Sequence, residues 1–150
     1  MKRKLILGIG NLLMGDEGIG IHIVRRLQEK GELSGVDIVD GGTGGFHLLE
    51  YFQNYEQVIL VDATLDGQQA GTVTLLRPKY SSDYPTTLSA HDIGLKSLLD
   101  ALTLLEIQPE IVLFAVSIPD LDKLSLDLSP EIEGVIKPAA ERIMRFCREG

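Results

Sequence analysis

The chain has 150 residues, 44% hydrophobic and 24% charged, a balance that suits one folded domain with an ordinary core and excludes a disordered segment. A formal net charge of −8 argues against nucleic acid as a general partner, because binding phosphates needs a basic surface. A single cysteine allows neither an internal disulfide nor a cysteine metal cluster, and the expectation is a reduced, cytoplasmic protein.

The opening MKRKLILGIGNLLMG has the basic start and apolar run of a secretory leader. Gly8, Gly10 and Asn11 break that run, two acids follow, and no small-residue cleavage site appears, so a buried parallel strand is the expectation instead. No apolar run approaches the roughly 20 residues that cross a membrane, and no membrane partner is expected.

Residues 4–7 are predicted as a strand reaching Gly8. Residues 17–30 are predicted as a helix, with Ile19, Ile23, Val24 and Leu27 on its apolar side and His22, Arg25, Arg26 and Glu29 on its polar side. A second strand covers 36–39 and ends at Asp40; the loop GGTGG leads to a helix over 46–55. A third strand covers 57–61 and ends at Asp62, and a fourth covers 72–76. A helix lies within 88–105, a fifth strand covers 111–116, and 129–148 is helical with Pro130 in its first turn. Pro138 lies off the apolar stripe of that last segment, so it kinks the helix or starts a second one.

The runs LIL, VDIV, VILV and IVLFAV lack polar alternation, as in strands covered on both faces. Their alternation with helices predicts an α/β fold: a single three-layer domain over 1–150, with a mostly parallel, twisted sheet of about five strands between helices.

Ligands of open parallel sheets gather outside the carboxyl ends of the strands. Asp16 and Glu17 follow the first strand through GIGNLLMGDEGIG, Asp40 ends the second and Asp62 the third. Acids gathered there repel one another unless something positive lies between them. Each also has a structural use. Asp16 is placed to cap a helix, Glu17 to favour its dipole, and Asp40, before two glycines, to make a turn. Asp62, after four apolar residues, is harder to explain that way.

His22 and His47 fall on polar helix faces and are expected to be solvated, whereas His91 follows a helix-start pattern, SAHD, with Ser89 as cap and Asp92 as its box partner. His91 is in register with Leu95, Leu98, Leu99 and Leu102, and the positive helix end keeps its ring neutral. Glu17, Asp62 and His91 would balance a divalent ion and leave coordination positions open, a set that zinc, nickel, iron or manganese tolerates. Cys147 falls on the buried stripe of the last helix and reads as packing. Nucleotide loops do not fit: Leu13 stands where GxGxxG needs its last glycine, and no GK[ST] occurs.

The stretches GIGNLLMGDEGIGIHIVRRL, VDGGTGG, ILVDAT and SAHDIGLKSLL, in this order and spacing, resemble the hydrogenase maturation endopeptidases. The likeness continues through FAVSIPDLDKLSLDLSPEIEGVIKPAAERI and covers nearly the whole chain. It implies a peptidase that removes the C-terminal extension of a nickel–iron hydrogenase large-subunit precursor after nickel insertion. It implies metal contacts at Glu17, Asp62 and His91, and substrate handling by Asp40. The nickel would be carried by the substrate, with zinc or cadmium able to occupy the same site.

HExxH, GxSxG and D[ST]G are all missing, so the catalytic residues are not those of the common protease classes. Two other classes stay open: a metallohydrolase with its own zinc, and a non-enzymatic metal-sensing chaperone. The irregular segments 77–87 and 117–128 are candidates for selecting the client.

Overall fold

The computed structural model describes residues 3–31, 33–43, 45–84, 92–119 and 125–149. The first strand, β1 (Lys4–Gly8), is buried at every position, as an apolar run without alternation requires. It lies between β2 (Val36–Asp40) and β3 (Gln57–Thr64), parallel to both. Lys4 stands opposite Val36 on one side and Gln57 on the other, and Gly8 opposite Asp40 and Val61. β5 (Glu110–Ser117) adds in parallel to β3, and β4 (Val73–Leu76) closes the edge antiparallel to β5. The sheet order is therefore β2-β1-β3-β5-β4.

Side-chain alternation divides the core in two. Ile6, Ile59, Val61, Val112, Phe114 and Val116 face the layer made by α1 (Ile19–Glu29) and α5 (Ile136–Glu149). Leu5, Leu7, Val58, Leu60 and Leu113 face α2 (Leu49–Asn54) and α3 (Asp92–Leu104). Each such side chain contributes about 1.5–3 kcal/mol of burial, which makes this sheet the organising element. The α/β architecture with a mostly parallel five-stranded sheet is the one the sequence predicts.

The boundaries differ from expectation in informative ways. A 3-10 turn, Gly15–Gly18, precedes α1, so Glu17 sits in the turn rather than the helix. The second helix begins as a 3-10 turn, Phe46–Leu48, and its α-helical part ends at Asn54. β3 runs on to Thr64, so Asp62 lies inside the strand, opposite Ala115, and not at its end. The C-terminal segment is two helices: α4 (Pro130–Glu133), then α5 after a break at Gly134 and Val135. Pro138 is the third residue of α5, where a missing N–H leaves no intrahelical bond unmade.

Candidate active site

The site is organised by backbone meeting backbone. Ile9 N–H donates to the Val61 carbonyl at 2.9 Å, Gly10 N–H to Gly42 at 2.9 Å, and Gly41 N–H to Gly8 at 2.8 Å. These bonds tie the carboxyl ends of β1, β2 and β3 into one rim. The glycines make the contact possible: a Cβ on Gly10 would lie 2.6 Å from the Glu17 carbonyl oxygen, and one on Gly20 2.2 Å from that of Val61.

Two carboxylates are buried at this rim. Glu17 is 3% exposed and Asp62 0%, and the 3-10 turn that carries Glu17 packs against β3, which carries Asp62. Asp62 Oδ1 accepts the Ala63 N–H at 2.8 Å. By alternation Asp62 shares the sheet face of Val58 and Leu60, the α3 side. His91, the third residue of the expected set, lies outside the described residues. Among the described residues no three His, Cys, Asp or Glu side chains form a metal-binding group. Glu17 and Asp62 supply carboxylate oxygens suited to a divalent ion, so their chemistry fits part of such a set.

Asp40 stands at the same rim but is exposed. Its Oδ1 accepts the Gly42 N–H at 2.9 Å, and its Oδ2 lies 3.7 Å from the Arg25 guanidinium. The turn role is thus real, and the solvated ion pair adds little to stability.

Asp16 does not cap α1. Neither the 3-10 turn nor α1 has a side-chain cap, and the residues at those positions are Met14 and Gly18. Its carboxylate reaches across the fold instead: Oδ1 accepts the Ser129 N–H and Oδ2 the Ser129 Oγ–H, each at 2.8 Å. The sequence carried no signal for this pairing, because the partners are 113 positions apart.

His47 is exposed, as expected, whereas His22 is half-buried. Its Nε2 is closed off from solvent and has no hydrogen-bond partner among the described residues. Burial, with help from the Arg25 charge and opposition from Glu133, holds its pKa below the usual histidine range. Cys147 is buried, and burial pushes its thiol up against the opposing pull of Lys4, which disfavours the nucleophilic thiolate.

Residues 21–146 match the hydrogenase maturation protease family model (HycI). The hydrogenase 2 maturation protease of Escherichia coli K12 is 35% identical, over 98% of this chain and 92% of that protein. HupD of Rhizobium leguminosarum, a hydrogenase expression/formation protein, is 33% identical over 97% and 74%. Among solved structures, the hydrogenase maturating endopeptidase HybD from E. coli superposes with a TM-score of 0.86 at 35% identity, covering 98% of this chain and 93% of that one. The nickel–iron hydrogenase maturation protease HybD from Thermococcus kodakarensis gives 0.77 at 29% identity, covering 96% and 98%. On a mostly parallel sheet with an acidic rim, this degree of likeness defines the class as a peptidase, and the chain belongs to the hydrogenase maturation protease family.

Proposed function

We propose that this protein cuts the C-terminal extension from the large-subunit precursor of a nickel–iron hydrogenase, in the cytoplasm, and that it recognises the precursor through the nickel it carries. Glu17, Asp62 and His91 would contact that nickel, and Asp40 would handle the substrate chain beside it. The observation that carries this reading is the burial of Glu17 and Asp62 on two elements packed together at one rim, 3% and 0% exposed. Carboxylate oxygens in so dry a setting are strong ligands for a divalent ion, because little water competes for either partner.

The nickel arrives as part of the substrate. Docking on it would set the scissile peptide by proximity, and a divalent ion there can polarise a carbonyl or lower the pKa of a water. The protein's own contribution is to hold two acids rigidly, through the glycine contacts, and to keep solvent from them. Recognition and proofreading then become one event: without nickel, the contact that places the tail is missing.

The test is to incubate the protein with nickel-loaded and nickel-free precursor and weigh the products. Shortening of the loaded form alone supports the proposal. Equal cleavage of both forms refutes nickel gating, and binding without any shortened product would favour a chaperone role.

A further inference from the structure

Asp16 and Glu17 are chemically alike and adjacent in one 3-10 turn, where successive side chains point about 120° apart. Only one of them can face inward beside β3. The structure turns Glu17 inward, 3% exposed, and its partner outward to Ser129. The turn has no side-chain cap of its own to fix its rotation.

Ser129 is built for this partner. It occupies the N-cap position of α4, where a serine hydroxyl ordinarily turns to its own helix, yet it makes no such bond. The hydroxyl and the backbone N–H both go to the Asp16 carboxylate, each at 2.8 Å. The chain on either side follows the same path: Met14 bridges Ser125 in parallel, Gly15 N–H donates to the Ser125 carbonyl at 2.7 Å, and Ser125 N–H to Leu13 at 2.9 Å. On the opposite side, Gly10 backs directly onto the Glu17 carbonyl.

We infer that Asp16 is a positioning residue: latched to the backbone and hydroxyl of Ser129, it fixes the rotation of the 3-10 turn and so decides that Glu17, not itself, faces the metal-contacting rim. This rests on the assignment of Glu17 to metal contact proposed above. The two acids divide the work, Asp16 to the latch and Glu17 to the rim, and neither can replace the other without turning the loop. Groups that orient a metal-contacting side chain usually cost about tenfold to a hundredfold in affinity or activity when removed.

The experiment compares D16A, D16N, S129A, S129T and E17Q in the full-length protein. Cadmium affinity is read by calorimetry and precursor cleavage as separate kcat and KM, both well below each variant's Tm. D16A is expected to fold, to lose roughly tenfold or more in cadmium affinity and kcat, and to show a raised KM for the precursor, whose nickel Glu17 would contact. D16N, which can still accept the Ser129 N–H, and S129T, which keeps the hydroxyl, are expected to restore most of both. S129A should fall between D16A and wild type, and carries the test alone if D16A does not fold. Wild-type cadmium affinity and kcat in D16A and S129A, with both lost in E17Q, would overturn the latch and leave the Glu17 assignment standing. Wild-type values in E17Q would instead overturn that assignment, and the latch with it.

Discussion

Gly20 lies so close to Val61 that a Cβ on it would stand 2.2 Å from the Val61 carbonyl oxygen and 2.4 Å from that of Ile9. Both obstacles are backbone, held by the Ile9–Val61 hydrogen bond, so neither can yield. Gly20→Ala is expected to cost at least about 3 kcal/mol, the upper end of ordinary overpacking, or to prevent folding. Gly42→Ala is a useful contrast. Its Cβ would meet nothing within 4 Å, and only the left-handed φ of +59° opposes it, at about 1–2 kcal/mol. Urea midpoints of the two variants check the ranking.

Tyr84 is 4% exposed, and its hydroxyl has no hydrogen-bond partner among the described residues. An unsatisfied buried hydroxyl is a cost, so Tyr84→Phe is expected to raise stability by about 1 kcal/mol at pH 7. Burial, reinforced by the Asp83 charge, also pushes the phenol pKa up. A raised folded pKa means stability that is intact below the unfolded value of 10.0 and lost as pH rises above it. Chemical denaturation at pH 7 and above pH 10 should therefore show the gain growing in the variant. A variant less stable than wild type at both values would contradict the account.

Most of the sheet was legible because burial on both faces leaves a plain mark, runs such as LIL and VILV. What the sequence could not show was anything set by the third dimension. Asp62 seemed to end its strand because one acid interrupts the apolar run, yet pairing with Ala115 carries β3 past it. The antiparallel direction of β4 depends on its neighbour and not on its own four residues. Asp16 read as a helix cap because local patterns favour that use, while its partner stands at the N-cap of a distant helix. Glu17 and Asp62 drew attention as candidates because acids beside glycine turns and after apolar strands stand out. The packing of the turn that carries Glu17 against β3 was a consequence of strand order, which one sequence states only indirectly.

His22 was only partly legible for a similar reason: its position on α1 is polar by periodicity and the residue is half-buried, but its Nε2 is closed off from solvent. Burial foremost, then Arg25, lowers its pKa from 6.5, while Glu133 raises it. A lowered folded pKa means stability that is present above 6.5 and is lost as pH falls through the folded value. His22→Leu is expected to flatten the stability profile below pH 6.5, and Glu133→Gln to steepen it by removing the opposing charge. Thermal midpoints between pH 7.5 and pH 5 read both slopes directly.

Lys4 is the other group whose role came only from the fold. It is 8% exposed, and its Nζ donates to the Cys147 carbonyl at 2.9 Å, two residues before the end of α5. A cation there meets the negative end of the helix dipole and one of its orphan carbonyls. Lys4→Met keeps the aliphatic stem and removes only the charge, so the loss should be that of one charged hydrogen bond, about 1.5–3 kcal/mol. The same substitution acts on the thiol nearby. Burial raises the Cys147 pKa above 9.0 and Lys4 opposes the rise, so removing the cation should push the thiol higher still. Below 9.0 the raised pKa costs no stability; above it the unfolded chain releases the proton first and stability falls. In Lys4→Met that alkaline loss should extend further, and a disulfide reagent should label Cys147 more slowly in the native state at mild alkaline pH. Faster labelling at unchanged stability would mean that the lysine shields the thiol sterically and does not act through its charge.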